Sequence, residues 1–182
     1  MHALARNAYT EAWRALGESL PRPRAVLAIS AHWYVPGVAV TAMARPKTIH
    51  DFGGFPKELF AVDYPAPGDP AFAREVASLL APREVALDEQ WGLDHGTWSV
   101  LCHIYPDADV PVVQIAIDET RPAAFHYELG RKLAPLRDDG VLILGSGNIV
   151  HNLRAYAWGR HAQEPYAWAV RSEEHTSELQ SH

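Results

Sequence analysis

Residues Ala25-Val26-Leu27-Ala28-Ile29 form a short apolar run that climbs to Ser30-Ala31-His32-Trp33. It follows the Pro-rich Pro21-Arg22-Pro23 and is cut off by Pro36-Gly37. An aliphatic run bounded by such breakers predicts a buried strand over 25–30. Before it, Leu4, Ala8, Ala12, Ala15 and Leu16, with Trp13, make a loose helical stripe within Met1 to Glu18 that ends near Gly17 and Pro21. After it, Val38, Val40 and Ala42 alternate between Gly37 and Met43 and predict a second strand. Residues 44–70 are rich in Pro, Gly and aromatics and read as a long loop of the functional kind.

A helix is predicted from Asp69 or Pro70 through Leu80, with Phe72, Val76, Leu79 and Leu80 on one face, then a short strand from Glu84 to Leu87. The loop Trp91-Gly92-Leu93-Asp94-His95-Gly96-Thr97-Trp98 leads into a helical turn or two from Ser99 to Ile104. Val110 to Ile117 is a β-branched strand, and Pro122 opens a helix through Leu136 as a first-turn proline. Val141 to Leu144 is another buried strand, ending in Gly145-Ser146-Gly147-Asn148 with His151 and Asn152 just beyond. The alternation predicts an α/β fold: a single domain with a central, mostly parallel or mixed sheet flanked by helices. Ligands in such sheets bind outside the strand carboxyl ends, which places the active site there.

That placement singles out the histidines. His32 on the strand alone reads first as a packed strand-end residue satisfied by a carbonyl, and second as a metal ligand or acid/base group. Asp94-His95-Gly96 reads as a carboxylate fixing an imidazole beside open space, or as an Asx turn with an exposed His; His50-Asp51 has the same two readings. Gly145-Ser146-Gly147-Asn148 lacks the spacing and the Lys of a phosphate loop, and the same stretch serves as a glycine turn into a helix. His103 and His126 fall within helices and read as surface or interface residues, and Cys102 as a small core residue. Ser30 and Ser146 lack the Gly-x-Ser-x-Gly setting of a hydrolase nucleophile. Together, His32, His50, His95 and His151 on separate segments favour a His-lined metal pocket. Trp33, Phe52, Phe55, Trp91 and Trp98 supply walls suited to a flat aromatic substrate. No acidic metal motif such as His-x-Asp stands out.

Composition narrows the choice. The chain has 182 residues, 48% hydrophobic and 21% charged, enough for one sizeable core. The single cysteine excludes an internal disulfide and a Cys-based zinc cluster. A net charge of −6 with scattered Lys and Arg gives nucleic-acid binding no electrostatic support. No apolar run is long enough for a membrane span, and a cytoplasmic protein is the default expectation. Ten histidines against one cysteine point to imidazole-type metal chemistry. Residues 171–182, from Arg171 to His182, are polar and aperiodic and resemble the translation of a sequencing adapter. They are expected to be a non-native tail, with 1–170 a partial catalytic domain.

Five motifs occur in order: Ser30-Ala31-His32-Trp33, His50-Asp51-Phe52-Gly53-Gly54-Phe55-Pro56, Tyr64-Pro65-Ala66-Pro67-Gly68, Trp91-Gly92-Leu93-Asp94-His95-Gly96, and Ser146-Gly147-Asn148-Ile149-Val150-His151-Asn152. Together they resemble the DOPA-dioxygenase type of class III extradiol ring-cleaving dioxygenases, within the LigB-like superfamily. The resemblance implies a non-haem Fe(II) or Zn(II) enzyme that opens a catechol ring beside its two hydroxyls, using O2. It implies His32 as a metal ligand, and His151 as a ligand or as the acid/base beside the metal. It also implies a catalytic His95 contacting substrate or oxygen, and a substrate pocket that includes His50, Trp33 and Phe52. Asp94 is expected to orient His95. A His-Gly-Ser-Pro ligand motif and a further C-terminal His of the family have no counterpart here. The chain is therefore expected to be truncated at both ends and inactive as it stands. A non-catalytic scaffold of the same superfamily and a zinc hydrolase are the other readings. The aromatic loop argues against the hydrolase, and the joint presence of His32, His95 and His151 argues against the scaffold.

Overall fold

The computed structural model describes residues 3–147. Its core is a five-stranded mixed sheet in the order β3-β2-β4-β1-β5. The strands are β1 (Ala25–Val35), β2 (Ala39–Thr41), β3 (Ala86–Asp88), β4 (Val112–Asp118) and β5 (Val141–Ser146). β4, β1 and β5 run parallel, β2 pairs antiparallel with β4, and β3 lies parallel to β2. The expected α/β sheet is therefore present, with the carboxyl ends of β1 and β5 side by side, since Ser30 pairs with Ser146.

Alternation along β1 sorts the two layers. Ala25 and Leu27 face a core built from Phe72, Ala73, Val76 and Leu80 around α3 (Pro70–Leu79), and from Leu129 and Leu133 of α5 (Ala123–Leu133) with Leu136 beyond it. Val26 and Ala28 face the opposite core, where α4 (His95–Ile104) contributes Trp98, Leu101 and Ile104. Full burial of Trp98 and Leu101 contributes roughly 1.5–3 kcal/mol each and fixes α4 on the sheet.

Several boundaries differ from the sequence reading, each for a local reason. The first strand continues past residue 30 to Val35. Its register with β4 jumps, since Ile29 pairs with Ile115 but Tyr34 pairs with Ile117. The extra residues bulge, and bulges re-aim side chains, so His32 lies within the irregular half of β1 rather than past its end. The first helix, α1 (Ala8–Ser19), starts at the N-cap Asn7, whose side chain accepts from the Tyr9 and Thr10 N–H groups while Thr10 Oγ1 accepts from Asn7 N–H. Of the expected stripe Trp13 packs inward, but Leu4, Ala8, Ala12, Ala15 and Leu16 are exposed. Thr10, Trp13, Arg14 and Gly17 turn inward instead, because Gly17 lets α1 approach the Ile104 carbonyl so closely that a Cβ would collide. A four-residue helix, α2 (Lys57–Phe60), interrupts the long 44–70 loop. Pro122 sits at the N-cap of α5 rather than in its first turn, and Ala134–Arg137 tightens into a 3₁₀ turn around Pro135. His103 is buried rather than superficial, with Nδ1 3.2 Å from the Arg14 guanidinium.

Cys102 packs against the α4 core as expected, its Sγ–H directed at the Ser99 carbonyl. Burial pushes its thiol pKa up to about 11. The thiolate is the reactive form, so a disulfide reagent at pH 8 is expected to label the native chain far more slowly than the unfolded one. Equal rates, followed by absorbance, would show an accessible thiol.

Candidate active site

α4 begins at His95, not at Ser99, because Asp94 is its N-cap and accepts from Thr97 N–H at 3.1 Å. This puts His95 in the first turn of a helix whose N-terminus abuts the carboxyl ends of β1 and β5. Gly96 makes the close approach possible. A Cβ there would collide with Ser30 Oγ and lie 2.9 Å from His32 Cδ2 and 3.2 Å from Asp94 Oδ1. Ser30 Oγ accepts from His32 N–H at 3.2 Å, and Ser146 Oγ–H donates to the Gly96 carbonyl. The expectation of a site at the strand carboxyl ends thus has a concrete form: β1, β5 and the head of α4 meet on one glycine.

The 44–70 loop closes the site from the other side. Leu93 N–H donates to the Lys47 carbonyl and Ile49 N–H to the Leu93 carbonyl, both within 2.9 Å, forming a parallel bridge between Thr48 and Leu93. Gly92 has φ +135° and lies against the Lys47 carbonyl, a position with no room for a side chain. The Trp98 indole N–H donates to the Ile49 carbonyl at 2.8 Å. Trp98→Phe is expected to lower stability by about 1–3 kcal/mol, combining the lost hydrogen bond with a small cavity. Chemical denaturation checks this, and an unchanged midpoint would show that the indole does not anchor the loop.

So anchored, the loop delivers Asp51. Its Oδ1 accepts from His95 N–H at 2.8 Å and lies 2.9 Å from His95 Nδ1, while Oδ2 lies 3.3 Å from His32 Nδ1. The two imidazole centroids are 3.9 Å apart. The approach to His95 Nδ1 is an ion-pair distance without the direction of a hydrogen bond, so that buried nitrogen has no directed partner among the described residues. Burial is the largest single influence on the Asp51 carboxyl and pushes its pKa up. The contacts with the His95 ring and backbone together pull harder, and the net pKa lies below the ordinary carboxylate value.

Donor atoms of His32, Asp51 and His95 all lie within 4.8 Å of one another, a set that could hold a metal ion. Two imidazoles and a carboxylate, with an undirected ring nitrogen among them, fit a divalent Fe- or Zn-type cation.

The sequence reading pairs Asp51 with its neighbour His50 and does not count it among the site groups; the structure pairs it with His32 and His95 instead. Asp94, expected to orient His95, spends its carboxylate on Thr97 and Gln114. The signal for Asp51 was its place beside His50 in a motif-rich loop, but sequence spacing alone could not bring it 44 positions along to His95. His50 stands apart from the triad. Its Nε2–H donates to the Val62 carbonyl at 2.9 Å, and its ring packs on Phe52, Phe60 and Trp98. Phe52 stands edge-on to His95 with centroids 5.3 Å apart. Trp33 is buried and stacks on Trp91 at 5.5 Å, the two rings nearly parallel. His151 lies outside the described residues.

Comparison with known proteins places the chain in a family. Residues 3–173 match the family described as the catalytic LigB subunit of aromatic ring-opening dioxygenase. The chain is 54% identical over 176 residues to a 4,5-DOPA dioxygenase extradiol of Escherichia coli K12, covering 96% of this chain and 65% of that protein. It is 43% identical over 146 residues to a 4,5-DOPA dioxygenase extradiol of Beta vulgaris, covering 79% of this chain and 54% of the relative. A crystal structure of an uncharacterized protein from Escherichia coli K12 superposes with a TM-score of 0.76 at 49% identity, over 96% of this chain and 66% of that one. The chain belongs to the LigB family of aromatic ring-opening dioxygenases. It spans less than two thirds of the length of these two curated relatives. Among the described residues no helix is long and apolar enough to cross a membrane.

Proposed function

We propose that residues 1–170 carry the site of an extradiol dioxygenase that opens the ring of catechols such as DOPA with O2. The observation that carries this reading is the meeting of His32, Asp51 and His95 at the carboxyl end of the sheet in a chain of this family. Of the three groups that could hold a divalent metal, Fe(II) or Zn(II), His32 is assigned as the ligand through its far ring nitrogen, Nε2, with Asp51 as the carboxylate behind its Nδ1 and His95 as the acid/base. His151 is proposed to join it as a ligand or as the acid/base beside it. A metal held there would supply a Lewis-acidic centre that a catechol could chelate through its two oxygens.

The remaining work falls to side chains. Asp51 holds the His95 backbone N–H and lies at ion-pair distance from its ring, which places His95 where its Nε2 can take a proton from a catechol hydroxyl and later return it. Phe52, edge-on to His95, offers a flat apolar wall to the substrate ring, with His50 and Trp98 packed behind it. A chain with one cysteine draws nothing from disulfides, in keeping with a cytoplasmic setting.

The test extends the chain to the length of the Escherichia coli relative with that relative's flanking segments. This chimera is loaded with Fe(II) under nitrogen, then given DOPA and oxygen. A yellow ring-opened product is expected, lost in His32→Ala and in His151→Ala. Bound metal with every tested catechol left intact would overturn the reading.

A further inference from the structure

Gln114 breaks the pattern of its strand. β4 reads Val-Val-Gln-Ile-Ala-Ile-Asp, and Gln114 is fully buried among its aliphatic neighbours. A buried carboxamide is costly unless its donors and acceptors are paired, and here its oxygen and an N–H are paired toward one place. Nε2–H donates to Asp94 Oδ2. Oε1 accepts from Thr97 Oγ1–H at 2.9 Å and faces Asp94 N–H at 3.4 Å. The Gln114 backbone N–H donates to Thr41 Oγ1 at 2.8 Å, tying the assembly to β2. Asp94, Thr97 and Gln114 are all shut off from water.

A helix cap does not need such a grip. Asp69 caps α3 near the surface by accepting from the Ala71 and Phe72 N–H groups at 2.9 Å. The α4 cap is held in addition by the sheet, through a side chain that offers one donor and one acceptor in a fixed plane. The residues that ride on the turn so held are His95, whose ring meets Asp51, and Gly96, which fits between Ser30 and His32.

We propose that Gln114 is a positioning residue for His95: by clamping Asp94 and Thr97 it sets the depth and rotation of the first turn of α4, and with them the imidazole against Asp51. The inference rests on the reading of His95 as a site residue.

The chemistry of the clamp supplies its own control. In Gln114→Glu two carboxylates face each other in a buried place. In Asp94→Asn two amides do. In the double variant one amide and one carboxylate have changed places. The amide now at position 94 still caps Thr97 through its oxygen and donates through its nitrogen to the carboxylate now at position 114. The other oxygen of that carboxylate accepts from Thr97 and from the backbone N–H of position 94. The hydrogen bonds are the same in number and only one reverses its direction.

Ring ¹⁵N–¹H spectra of His95 in the metal-free chain, assigned by the signal lost in His95→Gln, are the primary readout, with melting temperature recorded alongside. Each single variant is expected to shift the His95 ring signals, and the double variant to return them to the wild-type positions. In the Fe(II)-loaded chimera the single variants should lose turnover on the order of 10²-fold, in kcat rather than KM, as expected for a misplaced reacting group. Should Gln114→Glu not fold, the comparison of Asp94→Asn with the double variant decides. Single variants that melt lower while the His95 signals stay put would overturn the inference. So would a double variant that regains its melting temperature but not those signals. Signals that respond as expected, in a protein whose wild-type chimera opens no catechol, would leave the positioning role standing and remove the dioxygenase reading.

Discussion

Gly96→Ala is expected to disable the site while the sheet stays folded. In most helices alanine would improve on glycine by about 1 kcal/mol. Here the added Cβ meets Ser30 Oγ, His32 Cδ2 and Asp94 Oδ1 at once. Ser30 cannot swing aside without releasing the His32 N–H, and Asp94 cannot without losing the cap. The helix head must therefore lift or His32 must rotate, and either separates His32 from His95. Overpacking of this kind costs about 1–3 kcal/mol. A displacement near 1 Å at the reacting groups lowers turnover on the order of 10²-fold. Turnover of the extended, Fe(II)-loaded protein and the melting temperature of the chain are the two measurements. Wild-type turnover in Gly96→Ala would mean that the contact between α4 and β1 is slack and that the site does not depend on it.

Asp51→Ala carries the second large effect. The carboxylate serves three groups at once: His95 N–H, His95 Nδ1 and His32 Nδ1. Its removal leaves a half-buried helix N–H unpaired, costing about 1–3 kcal/mol. It also frees both rings to turn, and loss of a carboxylate behind a ligating histidine lowers metal affinity or activity by roughly 10–100-fold. Asp51→Asn separates the two contributions. Its carbonyl can still accept from His95 N–H, so most of the stability should return. The negative charge between the two imidazoles is gone, so Co(II) or Zn(II) binding should remain weak. Calorimetric titration of the chain with Zn(II) reads the difference. Wild-type affinity in both variants would take Asp51 out of the site.

Much of the site's neighbourhood was legible from local pattern. Ala25 to Ile29 and Val110 to Ile117 announce buried strands because consecutive aliphatic residues suit a strand covered on both faces, whereas Val141 to Leu144 forms its strand at the sheet edge with only Val141 buried. Asp69-Pro70 announces a helix start because cap and first-turn proline act within one turn. His32 stands out because it follows a buried strand and His95 because it sits between an Asp and a Gly in a loop, and the structure brings them into contact.

Other features depended on partners distant in the chain. Apart from Trp13, the apolar stripe of α1 pointed to the wrong face, since what selects the buried face is Gly17 against the Ile104 carbonyl, and no periodicity encodes that fit. His50 and Asp51 are neighbours in sequence, yet one turns to the Val62 carbonyl and the other to the two histidines. Asp94 stands next to His95 but is turned away from it by Gln114.

The sequence by itself determined the five strands and the longer helices in outline, their order, the α/β class and the loops from which site residues come, because capping, patterning and chain breaking act over a few residues. Only the tertiary structure decided which carboxylate serves the histidines. Asp51 reaches them because the Lys47–Ile49 segment hydrogen-bonds to Leu93 and Trp98, and Asp94 does not because a buried glutamine has claimed it. A carboxylate binds the donors that packing brings within about 3 Å, and that choice is made by long-range burial rather than by its neighbours in the chain.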